Sequence, residues 1–582
     1  MNIEKNFWSW FAVKQCHNKR FERREMRETM YYNDFIKAVE GKLLAMSEMK
    51  KTEWIRNKAR VTKENERIAF LNSLSVKQDY CPIIYEEKEI EDFFRKIEEG
   101  EVYFECSSYE EYGDSYWASE YSYEYSDAFE IEKDLCRAFQ IAESLLFQKK
   151  YKKASVLYER LCCTAFQTFD SKTEEWDELK LEDIVEHKLV NLNLKQIALN
   201  LMNAKYHAAK GVKRVTALYK YLSLGIGKNI KVEEIFTVGP EELKGIDLFM
   251  EDWITFLKNT EGDMAGEFLT VACKYQGGIS RLYETAREAS LMHPVLFEHV
   301  CKSLLDEQKE SECEKIGLEA IRELHENLII RGRIADLTIE AARKLGHEDV
   351  IRECYEVAFY SEATLDHYLR LFEMPDYQNI ADRASKHANT LPEKPEWEAN
   401  HKNQQLRVNS LSKDHKNVLR FFNGEFEYIY ELCQRDSSTL GWSGMFKGFA
   451  VPLFILLLDK NKKLSIDGER LIDGIAFKKG FMELDKKRFV DQLLSWKEKV
   501  VLTNRQYEKY ISWLKEEVDK RTDAVVGGGF RHSYYKAAIL IAAFGEVLES
   551  NGMLHGRMVL IEHYKKMHPR KRAFKAEFEL LI

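Results

Sequence analysis

The sequence predicts an all-α protein, a helical-hairpin repeat array of the tetratricopeptide-like α-solenoid kind, and three observations predict it. Only 8 of the 582 residues are proline, the residue that most often interrupts a helix. Charged residues make up 32% of the chain, and Leu, Glu, Lys and Ala are abundant, as in long solvent-facing helices joined by short connections. Apolar residues recur three and four apart in segment after segment. A chain this long exceeds what one compact core organises, so several domains or one extended array are expected.

Composition also bounds the function. The net charge of -9 makes no global case for nucleic-acid or membrane binding, so any such case must be local. The N-terminal text MNIEKNFWSWFAVKQ lacks the apolar core of a signal peptide. The longest apolar run, Gly448 to Leu458, carries Pro452 and falls short of the roughly 20 residues that a bilayer requires. The 11 cysteines are odd in number and scattered from Cys16 to Cys433 without framework spacing, which fits a cytoplasmic protein with reduced thiols.

Residues 1–100 read as a basic helical region: the first 77 residues hold 17 Lys and Arg against 10 Asp and Glu. Within it, Met30, Phe35, Val39, Leu43 and Met46 form one apolar stripe on a charged helix. Arg23, Arg24 and Arg27 then belong either to its solvated face or to a phosphate-contacting surface. Residues 101–130 reverse the charge, with nine acidic residues, seven tyrosines and no Lys or Arg. Such a segment repels itself and offers little aliphatic surface, so it is expected to be a loop or linker.

Residues 131–390 read as helical repeats. Ala142, Leu145, Tyr151, Ala154, Tyr158 and Leu161 fall where a tetratricopeptide-type hairpin places its small and large packing residues. Further on, a helix bearing Leu337, Ala341 and Leu345 stops at Gly346, and the next begins at once with Val350, Cys354 and Val357. Residues 391–410 are polar and proline-bearing, an internal boundary before a C-terminal helical domain over 411–582. There Asn423-Gly424 separates two short helices, and Ser533 stands where it can cap a helix that presents Tyr534, Ala537, Ala538, Ile541, Phe544, Gly545 and Leu548. A helix from about Gly556 to His568 follows, and Pro569 is suited to the first turn of a last one. That places Arg570, Lys571 and Arg572 in its first turn, where cations oppose the helix dipole unless a carboxylate or phosphate offsets them.

The stretches VAFYSEATLDHYLRL, LGWSGMFKGFAVPLFILLL and SYYKAAILIAAFGEVLESNG, together with HPRKRAFKAEF, resemble the helical region that follows the zinc finger in bacterial SWIM-type zinc-finger proteins. The resemblance covers roughly residues 318–582 and implies an α-helical, repeat-like scaffold appended to a small nucleic-acid-binding or protein-binding module. The finger itself needs a C-x-C pair followed by C-x-H, and neither spacing occurs. Zinc binding is therefore not implied.

No catalytic, cofactor or metal motif stands out. Adjacent Cys162 and Cys163 have no C-x2-C or H-x3-H companion, and His325-Glu326 and His347-Glu348 lack the second histidine of a zincin helix. The stretch from Leu224 to Ile230 has no glycine at position 222 and no Ser or Thr after Lys228, so it is no phosphate loop. In GWSGM the second glycine comes one residue too early for a nucleophile elbow. Residues Val525 to His532, VVGGGFRH, form either an inter-helix turn or a cradle for an anion with Arg531 as its cationic contact. The sequence thus favours a non-enzymatic scaffold or adaptor that binds protein partners. A nucleic-acid-associated protein of a bacterial defence or DNA-processing complex, using the basic N-terminal helices, is the alternative.

Overall fold

A computed structural model describes residues 42, 46–61, 87–112, 119–222, 225–227, 230–393, 403–436, 446–476 and 486–581. The chain divides into two compact units. One comprises residues 1–256 with 271–281, and the other 257–270 with 282–582. Helix predominates in both, and no described helix is long and apolar enough to cross a membrane.

In the first unit α1 spans Glu48–Val61 and α2 Glu87–Glu98. The tyrosine-rich acidic stretch that follows is not a loop, and its folding corrects the expectation of a purely α protein. It forms β1 (Phe104–Tyr112) and β2 (Ser119–Ser126), paired antiparallel. With β3 (Phe166–Asp170) and β4 (Glu175–Leu179) they make a four-stranded sheet in the order β2-β1-β3-β4, β1 running parallel to β3. The physical reason is period-two burial: Phe104, Cys106 and Ser108 are all buried on one side of β1. Read by hydropathy, Cys and Ser hide that alternation, although the tyrosines favour strands. Across the join the Asp170 carboxylate accepts from the Ser108 and Lys172 amides at 3.1 and 2.8 Å, and the Ser108 side chain, together with these amides, holds its pKa below the ordinary carboxylate value.

The expected hairpin lies beside this sheet as α3 (Ile131–Phe147) and α4 (Tyr151–Cys163), joined by three residues with Lys149 in the left-handed region. Ala142 and Ala154 are fully buried, as are Leu145, Tyr158 and Leu161. Small side chains at the crossing let two helix backbones approach closely. Replacing Ala154 by Trp is therefore expected to cost about 1–3 kcal/mol by overpacking; an unshifted thermal unfolding midpoint would show that the two helices do not meet there. Next come α5 (Leu181–Glu186), α6 (Leu194–Ala208), α7 (Val212–Leu222) and α8 (Ile246–Lys258), with α6 buried around most of its circumference.

The second unit continues after α9 (Asp263–Glu288) with helices joined by short connections: α10 (Val295–Asp306), α11 (Glu310–Glu323), α12 (Ile329–Leu345), α13 (Glu348–Ser361), α14 (Leu365–Arg370) and α15 (Tyr377–Thr390). Gly346 ends α12 in the left-handed conformation that the sequence predicts. Leu345, expected on the buried stripe, is exposed. Instead Ile334, Ala335, Thr338, Ala341 and Ala342 are buried, because α12 packs against α10, α11 and α13 and so needs a wider apolar face. Residues 403–411 run as a strap along this unit: Gln404 and Gln405 amides donate to Asp263, and the Asn409 amide to the Asn327 carbonyl at 2.8 Å.

Then follow α16 (Lys413–Phe422), α17 (Phe426–Arg435), α18 (Lys447–Leu458), α19 (Ile466–Ala476), α20 (Lys486–Lys497), α21 (Asn504–Thr522), α22 (Tyr534–Ser550), α23 (Gly556–Met567) and α24 (Arg572–Glu579). The longest apolar run is the central helix: every residue of α18, Lys447 included, is buried among α17, α19, α21 and α22. A helix hydrophobic all round is what a core position requires.

Candidate anion-binding surface

The site residues expected at the N-terminus, Arg23, Arg24 and Arg27, lie outside the described residues. The other four, Arg531, Arg570, Lys571 and Arg572, lie on two segments of the second unit that approach each other. After α21 the chain makes a π-helical turn over Asp523–Gly527, a glycine turn at Gly528 and Gly529, and a short 3-10 turn over Arg531–Ser533 that leads into α22. Val525 and Val526 are buried beneath the turn while residues 527–532 are exposed. Gly529 has φ +81°, a conformation that a side chain strains. A methyl group placed there would stand 3.8 Å from Lys571 Nζ, so the glycine loop and the start of α24 share one patch of surface.

Buried aromatic contacts fix this geometry. Tyr534, opening α22, meets Phe574 of α24 at 5.8 Å between ring centroids, and His568 meets the same ring edge-on at 5.8 Å. The Tyr564 hydroxyl donates to Asp519 at 2.5 Å, tying α23 to α21. Phe574 and Phe578 are the buried side of α24, whereas Ala573 is exposed. Two local expectations are corrected. Ser533 precedes α22 but its side chain makes no capping bond, since the 3-10 turn already occupies that position. Pro569 and Arg570 form a turn, not the first turn of a helix, and α24 starts at Arg572 with Lys571 as its cap residue.

The electrostatics of the patch are one-sided. Residues 524–545 and 563–576 contain no Asp or Glu but carry Arg531, Lys536, Lys565, Lys566, Arg570, Lys571, Arg572 and Lys575. Lys565 pairs with Glu562. The side chains of Arg531, Arg570, Lys571 and Arg572 make no hydrogen bond or ion pair among the described residues. Asp523 stands 3.9 Å from His568. Burial lowers the His568 pKa below its ordinary value, and the Lys571 charge pushes the same way against Asp523. Two large rings are exposed on the first of these segments: Phe530 is 56% exposed and Tyr535 47%, the latter with Lys536 Nζ 5.6 Å from its centroid. Sequence reasoning found the cations but passed over both rings; the run F-R-H-S-Y-Y-K was the available signal.

A second concentration of charge is internal and has no counterpart in the sequence reading. His367 and Arg370, 4% and 6% exposed, both donate to Asp336, His367 Nε2 at 3.0 Å. Arg370 also pairs with Asp366, which accepts from Arg488 at 3.0 Å and Gln492 at 2.8 Å. His367 Nδ1 faces the Glu362 carbonyl at 2.6 Å, so this nitrogen carries a proton. The group joins α12, α14 and α20 and serves as a structural lock.

Of the remaining sequence motifs, residues 441–445 lie outside the described residues, as do 224, 228 and 229. Among the described residues no three His, Cys, Asp or Glu side chains are gathered as a metal site. Cys162 is buried with its pKa pushed up by that burial while Cys163 faces outward, and His347 pairs with Glu314 at 2.9 Å. Comparison with known proteins finds no matching family model, no matching curated protein and no matching solved structure.

Proposed function

We propose that the protein is a non-enzymatic helical-repeat scaffold whose stacked hairpins gather protein partners. The observation that carries this reading is the neighbour-to-neighbour packing of α10 through α17: successive helices touch, α14 and α15 by way of the 3-10 turn Leu371–Glu373 between them, and several touch the next but one. Such packing is the pattern of a quasi-one-dimensional array. Successive pairs begin at Val295, Ile329 and Leu365, steps close to the roughly 34 residues of a tetratricopeptide unit. A groove of about 380 Å³ opens beside this array, lined by Phe372, Tyr377, Phe422, Trp496 and Val501 among others. Tyr377 in the groove is of a residue type that interface hot spots favour, and Val501 on its rim is 90% exposed.

Affinity purification of the tagged full-length protein from its host, with nuclease treatment, tests this reading. Partners are expected to survive the nuclease, and Val501→Asp combined with Tyr377→Ala is expected to lower their recovery about tenfold or more. Loss of every protein on nuclease treatment would overturn the scaffold reading.

A further inference from the structure

We infer that the surface formed by the Gly527–His532 loop and the start of α24 binds single-stranded nucleic acid, phosphates on Arg531, Arg570, Lys571 and Arg572 and bases on Phe530 and Tyr535. The inference stands independently of the scaffold reading. Its first support is charge: on a chain of net charge -9, two acid-free segments with eight Lys and Arg meet at one place, and the Gly529–Lys571 approach and the Tyr534–Phe574 contact hold them together. Four cations left without protein partners suit a polyanion, because each phosphate they neutralise releases a condensed counterion.

The second support is the pair of exposed rings. Phe530 follows the glycine turn, at the tip of a loop whose valines are anchored in the core, so the ring is presented at a fixed position rather than on a loose tail. Duplex DNA hides its base faces, and a ring displayed among phosphate-binding cations is useful only to bases that are unstacked. An acidic protein segment would use the cations but not the rings. The stretch without side chains, Gly527-Gly528-Gly529, lets a backbone pass close to the loop amides.

The test is fluorescence anisotropy of full-length protein with labelled oligothymidylate of about twenty nucleotides, a length that covers one or two such sites, and with a duplex of the same length. Binding of the single strand is expected to exceed that of the duplex and to weaken steeply with salt. Changing Arg570, Lys571 and Arg572 to Ala should reduce the slope of log K against log salt by about 2, at roughly 0.7 for each phosphate contact. Phe530→Ala should weaken binding about tenfold and Phe530→Trp should retain it. Arg572 opens α24, so if the triple variant melts early, Arg531→Gln with Arg570→Gln, both outside the α-helices, carries the same comparison. Absence of binding at low salt, or a salt slope unchanged in the charge variants, overturns the inference. So does a duplex bound as tightly as the single strand with Phe530→Ala silent, or displacement by polyglutamate at lower charge concentration than by oligothymidylate.

Discussion

Replacing Glu517 by Leu is expected to destabilise the second unit by about 3–5 kcal/mol, the cost of leaving one buried charge uncompensated. Lys447 and Glu517 are 3% and 1% exposed and pair at 2.8 Å. Lys447 is the first residue of α18 and also donates to the Asp436 carbonyl at 3.1 Å. Its ammonium sits at a helix N-terminus, where a cation opposes the dipole, so Glu517 of α21 is its main compensation. Glu517 also receives Lys520 at 3.1 Å, which lies half-exposed and can turn to water when the carboxylate is gone. Lys447 cannot. The double change Lys447→Met with Glu517→Leu is expected to recover most of the loss, because a well-packed apolar pair is often as stable as a buried ion pair. Chemical denaturation of the wild type and the three variants measures this. A Glu517→Leu midpoint equal to that of the wild type would mean that Lys447 reaches water.

Asp336→Ala is expected to cost less, about 1–3 kcal/mol, because Asp336 is 36% exposed, His367 can lose its proton and Arg370 keeps Asp366. It strips the charged partner from His367, which keeps the Glu362 carbonyl, and one of two carboxylates from Arg370. The pH dependence gives the assignment its signature. Burial alone would raise the Asp336 pKa, yet the hydrogen bonds and charges of His367 and Arg370 bring it down to about 2. Its unfolded value is about 3.9, so its contribution is present above about pH 4 and is lost as pH falls toward 2. For His367, burial lowers the pKa but the Asp336 bond and charge overcome it, and the net direction is upward. That contribution is complete below the unfolded value of about 6.5 and is lost as pH rises through the folded one. Stability is thus expected to peak between about pH 4 and 6.5, and Asp336→Ala to flatten both flanks. A variant whose pH profile runs parallel to the wild type would exclude the pairing.

Much of the helical architecture was legible because helices are local. The α3–α4 hairpin follows from Ala142, Ala154 and Tyr158, the end of α12 from Gly346, and the α16–α17 turn from Asn423-Gly424. Each needs only residues within a few turns of one another. The sheet was illegible because β1 pairs with β3 across two intervening helices, and its buried Cys106 and Ser108 do not look apolar in a sequence. The candidate site was half legible: Arg531 and the Arg570–Arg572 run are visible as charges, but their meeting across α22 and α23 is not.

Composition and periodicity by themselves determined that the chain is mainly helical, where many of its helices end, and that no run of residues is apolar and long enough to make a spanning helix. Only the tertiary structure decided which charges are buried and which remain available. Lys447, Asp336 and Arg370 read in sequence like any residues of a solvated helix face, as Arg570 and Arg572 also do. Burial is a property of what packs on top, set by contacts between segments far apart in the chain, and in this protein it encloses Lys447 and Arg370, half-covers Asp336 and leaves Arg570 and Arg572 facing solvent.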